Sequence, residues 1–122
     1  MPRFAILTHD FPFLHWDLLL ENGNACRTWR LLAPPDSAKE IPAELLADHR
    51  LIYLDYEGPV PGERGTVSCW DRGAFEWQHH SSVFCEVVLT GTRWNGIVRM
   101  VLGERSWTCV RDIPFREQID DL

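Results

Sequence analysis

The residues best suited to chemistry concentrate in one segment, HDFPFLHWDLLLE, from His9 to Glu21. If residues 14–21 form a strand, His15, Asp17, Leu19 and Glu21 share one face, and Leu14, Trp16, Leu18 and Leu20 share the other. The second set is uniformly apolar and reads as core. In the first, an imidazole and a carboxylate stand about 6.6 Å apart along the backbone, and ligand bonds of about 2 Å let both reach one ion. His9 lies just before them, across a Phe-Pro-Phe turn that can fold it back over the same face. Two imidazoles and a carboxylate suit Mn, Fe or Zn, with open positions for water or substrate. The same pattern also suits two unconnected histidines, exposed or hydrogen-bonded. A second segment, DHRLIYLDYEGPVPG (48–62), places His49, Leu51, Tyr53 and Asp55 on one strand face. His49 and Tyr53 are then about 13 Å apart along an unbent strand, so they line an elongated cleft rather than one small group. The alternative is a cation at a helix end and a half-buried barrel residue.

Short apolar segments must hold these residues in place. Residues 4–8, 14–21, 26–32, 51–56, 65–70, 75–78, 83–90, 97–102 and 106–111 are rich in β-branched and aromatic side chains. Asn22-Gly23, Asp71-Arg72-Gly73, Asn95-Gly96 and Gly103-Glu104 punctuate them as hairpin signals. Short strands at this spacing predict a mainly β, single-domain antiparallel barrel of about eight or nine strands, spanning 1–122. One short helix is expected from AKEIPAELLADH, ending near Asp48, with Pro42 in its first turn. Gly58 and Gly73 suit turns with positive φ, and Asp71 suits a hairpin closed on local backbone N–H groups. Trp16, Trp70 and Trp107 alternate with polar neighbours and read as core. Phe11 and Phe13, in the loop between two histidines, are the aromatics expected to touch a ligand. His79 and His80 point to opposite sides of a strand and form no two-ligand site there.

Twelve basic residues against eighteen acidic ones give a net charge of −6. That composition excludes a protein that coats nucleic acid by broad phosphate neutralisation, though not a local basic site. Eleven of the twelve cations are Arg, the type suited to fork-shaped phosphate contacts. Residues 112–122 read as an acidic C-terminal tail. MPRFAILTHD holds too short an apolar run for a signal peptide or a membrane span, and a cytoplasmic address is expected. Cys26, Cys69, Cys85 and Cys109 contain no CxxC pair and are expected as free core thiols.

In order along the chain, HDFPFLHWDLLLE, TWRL, DHRLIYLDYEGPVPG and GTVSCWDRG resemble the 3′-phosphoesterase domain of bacterial DNA ligase D, over roughly residues 4–111. The resemblance implies a compact β-barrel that binds manganese, with Zn or another transition metal as alternatives. It implies removal of damaged or ribonucleotide-bearing 3′ ends of DNA, as phosphodiesterase and phosphomonoesterase, in a functional link to ligase and polymerase end-joining proteins. Carried over by position, His9, His15 and Asp17 hold the metal. His49 and Tyr53 contact the scissile phosphate, and His49 aids proton transfer or transition-state stabilisation.

Three positions depart from the family pattern. Leu19 stands where the family carries an arginine two residues past the aspartate, and Ile41 where another lies eight residues before the histidine equivalent to His49. LLAPPDS replaces a lysine-bearing Pro-Lys-Gly stretch. Each absent cation is a charge-assisted phosphate contact, typically about 1.5–3 kcal/mol. Arg64 and Arg30 are the main candidates to re-supply charge, whereas Arg50 in strand geometry points away from His49. Two other functions remain compatible: a weakened or inactive module that binds nucleic-acid ends, and a phosphoesterase for a small phosphate ester.

Overall fold

The computed structural model describes residues 1–112 and is built almost entirely from strands. They are β1 (Arg3–His9), β2 (His15–Asn22), β3 (Ala25–Leu31), β4 (Glu40–Leu45), β5 (His49–Arg50), β6 (Gly58–Pro59), β7 (Thr66–His80), β8 (Phe84–Gly91), β9 (Asn95–Leu102) and β10 (Trp107–Arg111). Eight of them close a ring in the order β1-β2-β3-β4-β10-β9-β8-β7 and back to β1, every pairing antiparallel. Closure pairs the edges that an open sheet would expose. The expected antiparallel barrel is therefore what the chain forms. The tail expected from 112 lies, beyond Asp112, outside the described residues.

Alternation along β1 and β2 explains where the site sits. Phe4, Ile6, Leu18 and Leu20 point into the barrel, with Trp29, Phe75, Trp94 and Met100. Ala5, Leu7 and Leu19 point outward, into a second apolar cluster with Cys26, Leu54, Val60 and Val67. These two strands are apolar on both faces because residues 51–60 cover their outer side. Each large side chain so buried contributes about 1.5–3 kcal/mol. Trp107 belongs to the interior, and Trp16 and Trp70 pack against it partly buried. Leu14, expected in the core with Trp16, is exposed.

Several local expectations fail where long-range packing overrides local preference. Residues 40–45 form strand β4, not a helix, because β3 and β10 need a strand between them. Its burial alternates, with Ile41 and Ala43 inside and Glu40, Pro42 and Glu44 outside. Pro42 lies beyond the last residue of β4 that pairs β3, so its missing N–H disrupts little of that ladder. Residues 51–54 form a 3-10 helix instead of a strand. The Trp70–Gly73 stretch makes no turn. β7 runs straight through it, pairing β1 first and then β8.

Gly73 sits at that handover, and its φ is not positive; a Cβ there would collide with the Thr90 carbonyl oxygen. Gly58 does have positive φ. Asp71 is buried and its carboxylate accepts N–H bonds from Arg72, Thr92, Arg93 and Trp94, so it braces the distant β8–β9 turn as well as its own neighbour. All four cysteines are free thiols, with Cys69 alone not fully buried. Burial pushes Cys26 up to about 11 and Cys109 up to about 12, which suits inert core residues.

Candidate metal centre

His9 and His15 face each other directly across the β1–β2 hairpin, with ring centroids 4.8 Å apart. The intervening loop crosses a cis Phe11-Pro12 bond. Asp17 follows two residues along β2, and its carboxylate meets both rings: Oδ2 lies 3.1 Å from His9 Nδ1, and Oδ1 3.1 Å from His15 Nε2. One ligand atom from each of the three residues falls within 4.8 Å of the others. The outer-face placement required by strand alternation is thus what the fold provides.

The far side of each imidazole decides what the near side can do. His15 Nδ1 donates to the Phe13 carbonyl at 2.8 Å, and His9 Nε2 donates to the Arg64 carbonyl at 2.8 Å. In the neutral rings, the remaining nitrogen of each then carries a lone pair aimed at a carboxylate oxygen. His15 Nε2 and Asp17 Oδ1 are buried at ion-pair distance, yet they satisfy no hydrogen-bond geometry. Acceptors that converge out of water need a cation among them, either protons or a metal ion. Burial pushes the Asp17 carboxyl up, but its contacts with His15 and His9 and the more distant charge of His49 outweigh it and hold it at about 2. The hydrogen bond to Asp17 raises His9. Two imidazoles with carbonyl-fixed tautomers and an ionised carboxylate fit a divalent transition metal.

A cleft of about 600 Å³ opens over this cluster. His49 and Tyr53 line it, and the 3-10 helix between them brings their rings to 6.2 Å, half the separation an unbent strand allows. His49 Nδ1 donates to the Ala47 carbonyl at 3.0 Å, leaving Nε2 without that partner, as at His15. Arg30 and Arg64 line the cleft, and so does Arg50, the second residue of β5. Neither Arg50 nor Arg64 has an ion pair among the described residues, and Arg30 meets Glu44 only at 3.5 Å. Ile41 points into the barrel, so that position carries no cleft contact at this register. Leu19 is wholly buried under Leu54, where it anchors the covering segment with hydrocarbon.

Asp10 and Gly65 are parts of the site that residue pattern alone does not single out. Asp10 Oδ1 accepts the Thr66 N–H at 2.8 Å, tying the histidine loop to the loop that carries Arg64. Gly65 has φ +76°, and a Cβ there would collide with Asp10 Oδ1 and lie 2.7 Å from Phe11 Cβ. The glycine-bearing stretch PGERG is the only signal for this closeness. Gly65→Ala is expected to destabilise the fold by about 2 kcal/mol through left-handed strain and loss of that bond, read as a lowered melting temperature. An unchanged melt contradicts it.

A small closed barrel with a His-His-Asp cluster under an arginine-rimmed cleft defines the structural class. Residues 7–102 match the DNA ligase D 3′-phosphoesterase domain family, and the chain belongs to that family. It is 36% identical over 78 residues to the multifunctional non-homologous end joining protein LigD of Pseudomonas aeruginosa. That match takes in 60% of this chain and 9% of the relative, so the chain spans a small part of that protein's length.

Proposed function

We propose that this chain is a metal-dependent phosphoesterase that removes phosphate or ribonucleotide-bearing groups from DNA 3′ ends during end repair. The observation that carries the reading is the convergence of two carbonyl-braced imidazoles and a buried carboxylate beneath a cleft lined by arginines. His9, through Nδ1, His15, through Nε2, and Asp17 would hold the ion, with Mn expected and Zn or another transition metal as alternatives. When bound, such an ion offsets phosphate charge and lowers the pKa of a water. His49, its Nδ1 engaged by Ala47, presents Nε2 to donate to a phosphoryl oxygen when the ring is protonated, or to accept a proton when it is neutral. Tyr53 positions the same phosphate, and Arg30, Arg64 and Arg50 oppose its charge in place of the family cations absent at Leu19 and Ile41. A functional link to ligase and polymerase end-joining proteins, and a cytoplasmic site of action, belong to the same reading. No helix among the described residues is long and apolar enough to cross a membrane.

The test is phosphate release from a primer–template ending in a 3′-phosphate or a 3′-ribonucleotide. Release with Mn²⁺ that stops on chelation is the expected result. No release across Mn²⁺, Zn²⁺ and Co²⁺ sinks the reading. The burial of Leu19 in hydrocarbon favours a second one, in which the barrel binds nucleic-acid ends without turnover; salt-dependent binding with no product distinguishes it. Hydrolysis of small phosphate esters alone points to the third.

Protons and metal compete for the same lone pairs, which sets a pH dependence. Asp17 is depressed, so its contribution to metal-free stability is present above the ordinary carboxylate range and lost as pH falls toward about 2. His9 is raised, so its contribution is complete below its ordinary value and lost as pH rises through the folded one. As pH rises from the ordinary imidazole value through the raised one of His9, the metal-free melting temperature should therefore fall, while the gain on adding Mn²⁺ should grow. A gain that shrinks over that range contradicts metal binding at these residues.

A further inference from the structure

The loop joining His9 to His15 leaves three large apolar side chains uncovered within four positions: Phe11, Phe13 and Leu14 are 42%, 49% and 57% exposed. Scattered apolar side chains on a surface need no explanation, but a cluster beside a polar cleft does. Phe11 lines the cleft itself. Phe13 is braced from two sides. Its ring meets the His15 imidazole edge-on at 5.6 Å between centroids, and the Arg30 guanidinium lies 5.2 Å from its centroid. Arg30 in turn has a buried Nε without a hydrogen-bond partner, and its Glu44 contact is long. The result is a braced aromatic ring that remains half open to solvent, next to the cluster and to Arg30, whose one ion pair among the described residues is long.

Aromatic faces beside guanidinium groups match the two halves of a nucleotide. A base stacks on the ring, and its phosphate meets the cations. A phosphate ester without a base leaves both phenylalanines wet. We propose that Phe13, assisted by Phe11, is a stacking platform for the nucleobase of the nucleotide whose 3′-phosphate enters the cleft. This rests on the phosphoesterase reading for the placement of the phosphate, and it makes the site selective for nucleotides over simpler phosphate esters. Phe13 lies within one ring contact of His15, so a phosphate at the cluster and the base one sugar away are met together.

The experiment uses the full chain and short DNA strands with a 3′-phosphate, whose terminal nucleotide carries either 2-aminopurine or no base. Stacking quenches 2-aminopurine fluorescence, so wild type should quench it on binding. It should also bind the base-bearing end about five- to 150-fold more tightly than the abasic one. Phe13→Ala should bring that ratio close to one, Phe13→Tyr should restore it, and Phe11→Ala should lower it in part. Melting curves establish that each variant is folded. Equal binding of both ends by wild type, an unchanged ratio in Phe13→Ala, or failure of wild type to bind either strand overturns the proposal. Because binding is read without turnover, an inactive protein that still discriminates the base sinks only the phosphoesterase reading. An active enzyme indifferent to the base sinks only the platform.

Discussion

His15→Ala is expected to reduce phosphate release from a 3′-phosphorylated primer by about 10²- to 10³-fold, and to abolish the rise in melting temperature on adding Mn²⁺. Removing one positioned electrostatic group from such a site costs on the order of 10²–10³ in rate, and His15 supplies one of only three ligand atoms at the cluster. Its imidazole is wholly enclosed, and its Nε2 and the facing Asp17 oxygen are the two orphaned atoms of the cluster. Among the described residues, no fourth ligand-type side chain joins that group. The substitution also strips Asp17 of a contact that holds its carboxyl down, so that carboxyl should titrate higher than about 2. His79→Ala, on the exposed end of β7, is the control. Undiminished turnover by His15→Ala, or a full Mn²⁺ response, rules out the cluster as the metal site.

Asp71→Ala is the largest stability loss expected in the chain, about 3–5 kcal/mol, or a fall of roughly 10–20 °C in melting temperature. One buried carboxylate accepts four main-chain N–H groups: Oδ1 from Arg72 at 2.9 Å and Thr92 at 3.0 Å, Oδ2 from Arg93 at 3.1 Å and Trp94 at 2.8 Å. Alanine orphans those donors and leaves the 91–94 turn without its anchor. Asn in the same place keeps one acceptor but turns an NH2 toward N–H groups, so it should recover little. Asp36→Ala is the contrast. Its 3.6 Å pair with Arg93 is half exposed at both ends, and its loss should stay within about 0.5 kcal/mol. A melt for Asp71→Ala within a few degrees of wild type contradicts the bracing role.

The shared face of His15 and Asp17 could be read from the sequence because it depends on the simplest rules of sheets. Their joining with His9 at one ion was implied only by the family resemblance. Strand alternation puts His15 and Asp17 on one face, and a tight hairpin sets His9 against His15. The barrel was legible for the same reason: its strands are short, apolar and separated by turn residues. Where reading failed, a long-range partner decided the outcome. AKEIPAELLADH has a helical composition, but β10 and β3 require a strand from it. LIYLDY has strand composition, yet it covers Leu19 from outside the barrel and shortens into a 3-10 turn. That turn brings Tyr53 up to His49, so a closeness that strand geometry excluded is present. Asp71 was legible as a brace, but not the turn it braces, since residues 92–94 lie far along the chain.

The three histidines around the cleft share one device: one ring nitrogen of each donates to a main-chain oxygen, from Phe13, Ala47 or Arg64. Every amino acid carries that oxygen. Mutation at positions 13, 47 and 64 can therefore remodel what surrounds the phosphate without removing the group that sets each ring's tautomer. Such an arrangement lets selectivity drift across a lineage while the machinery beneath it is inherited intact.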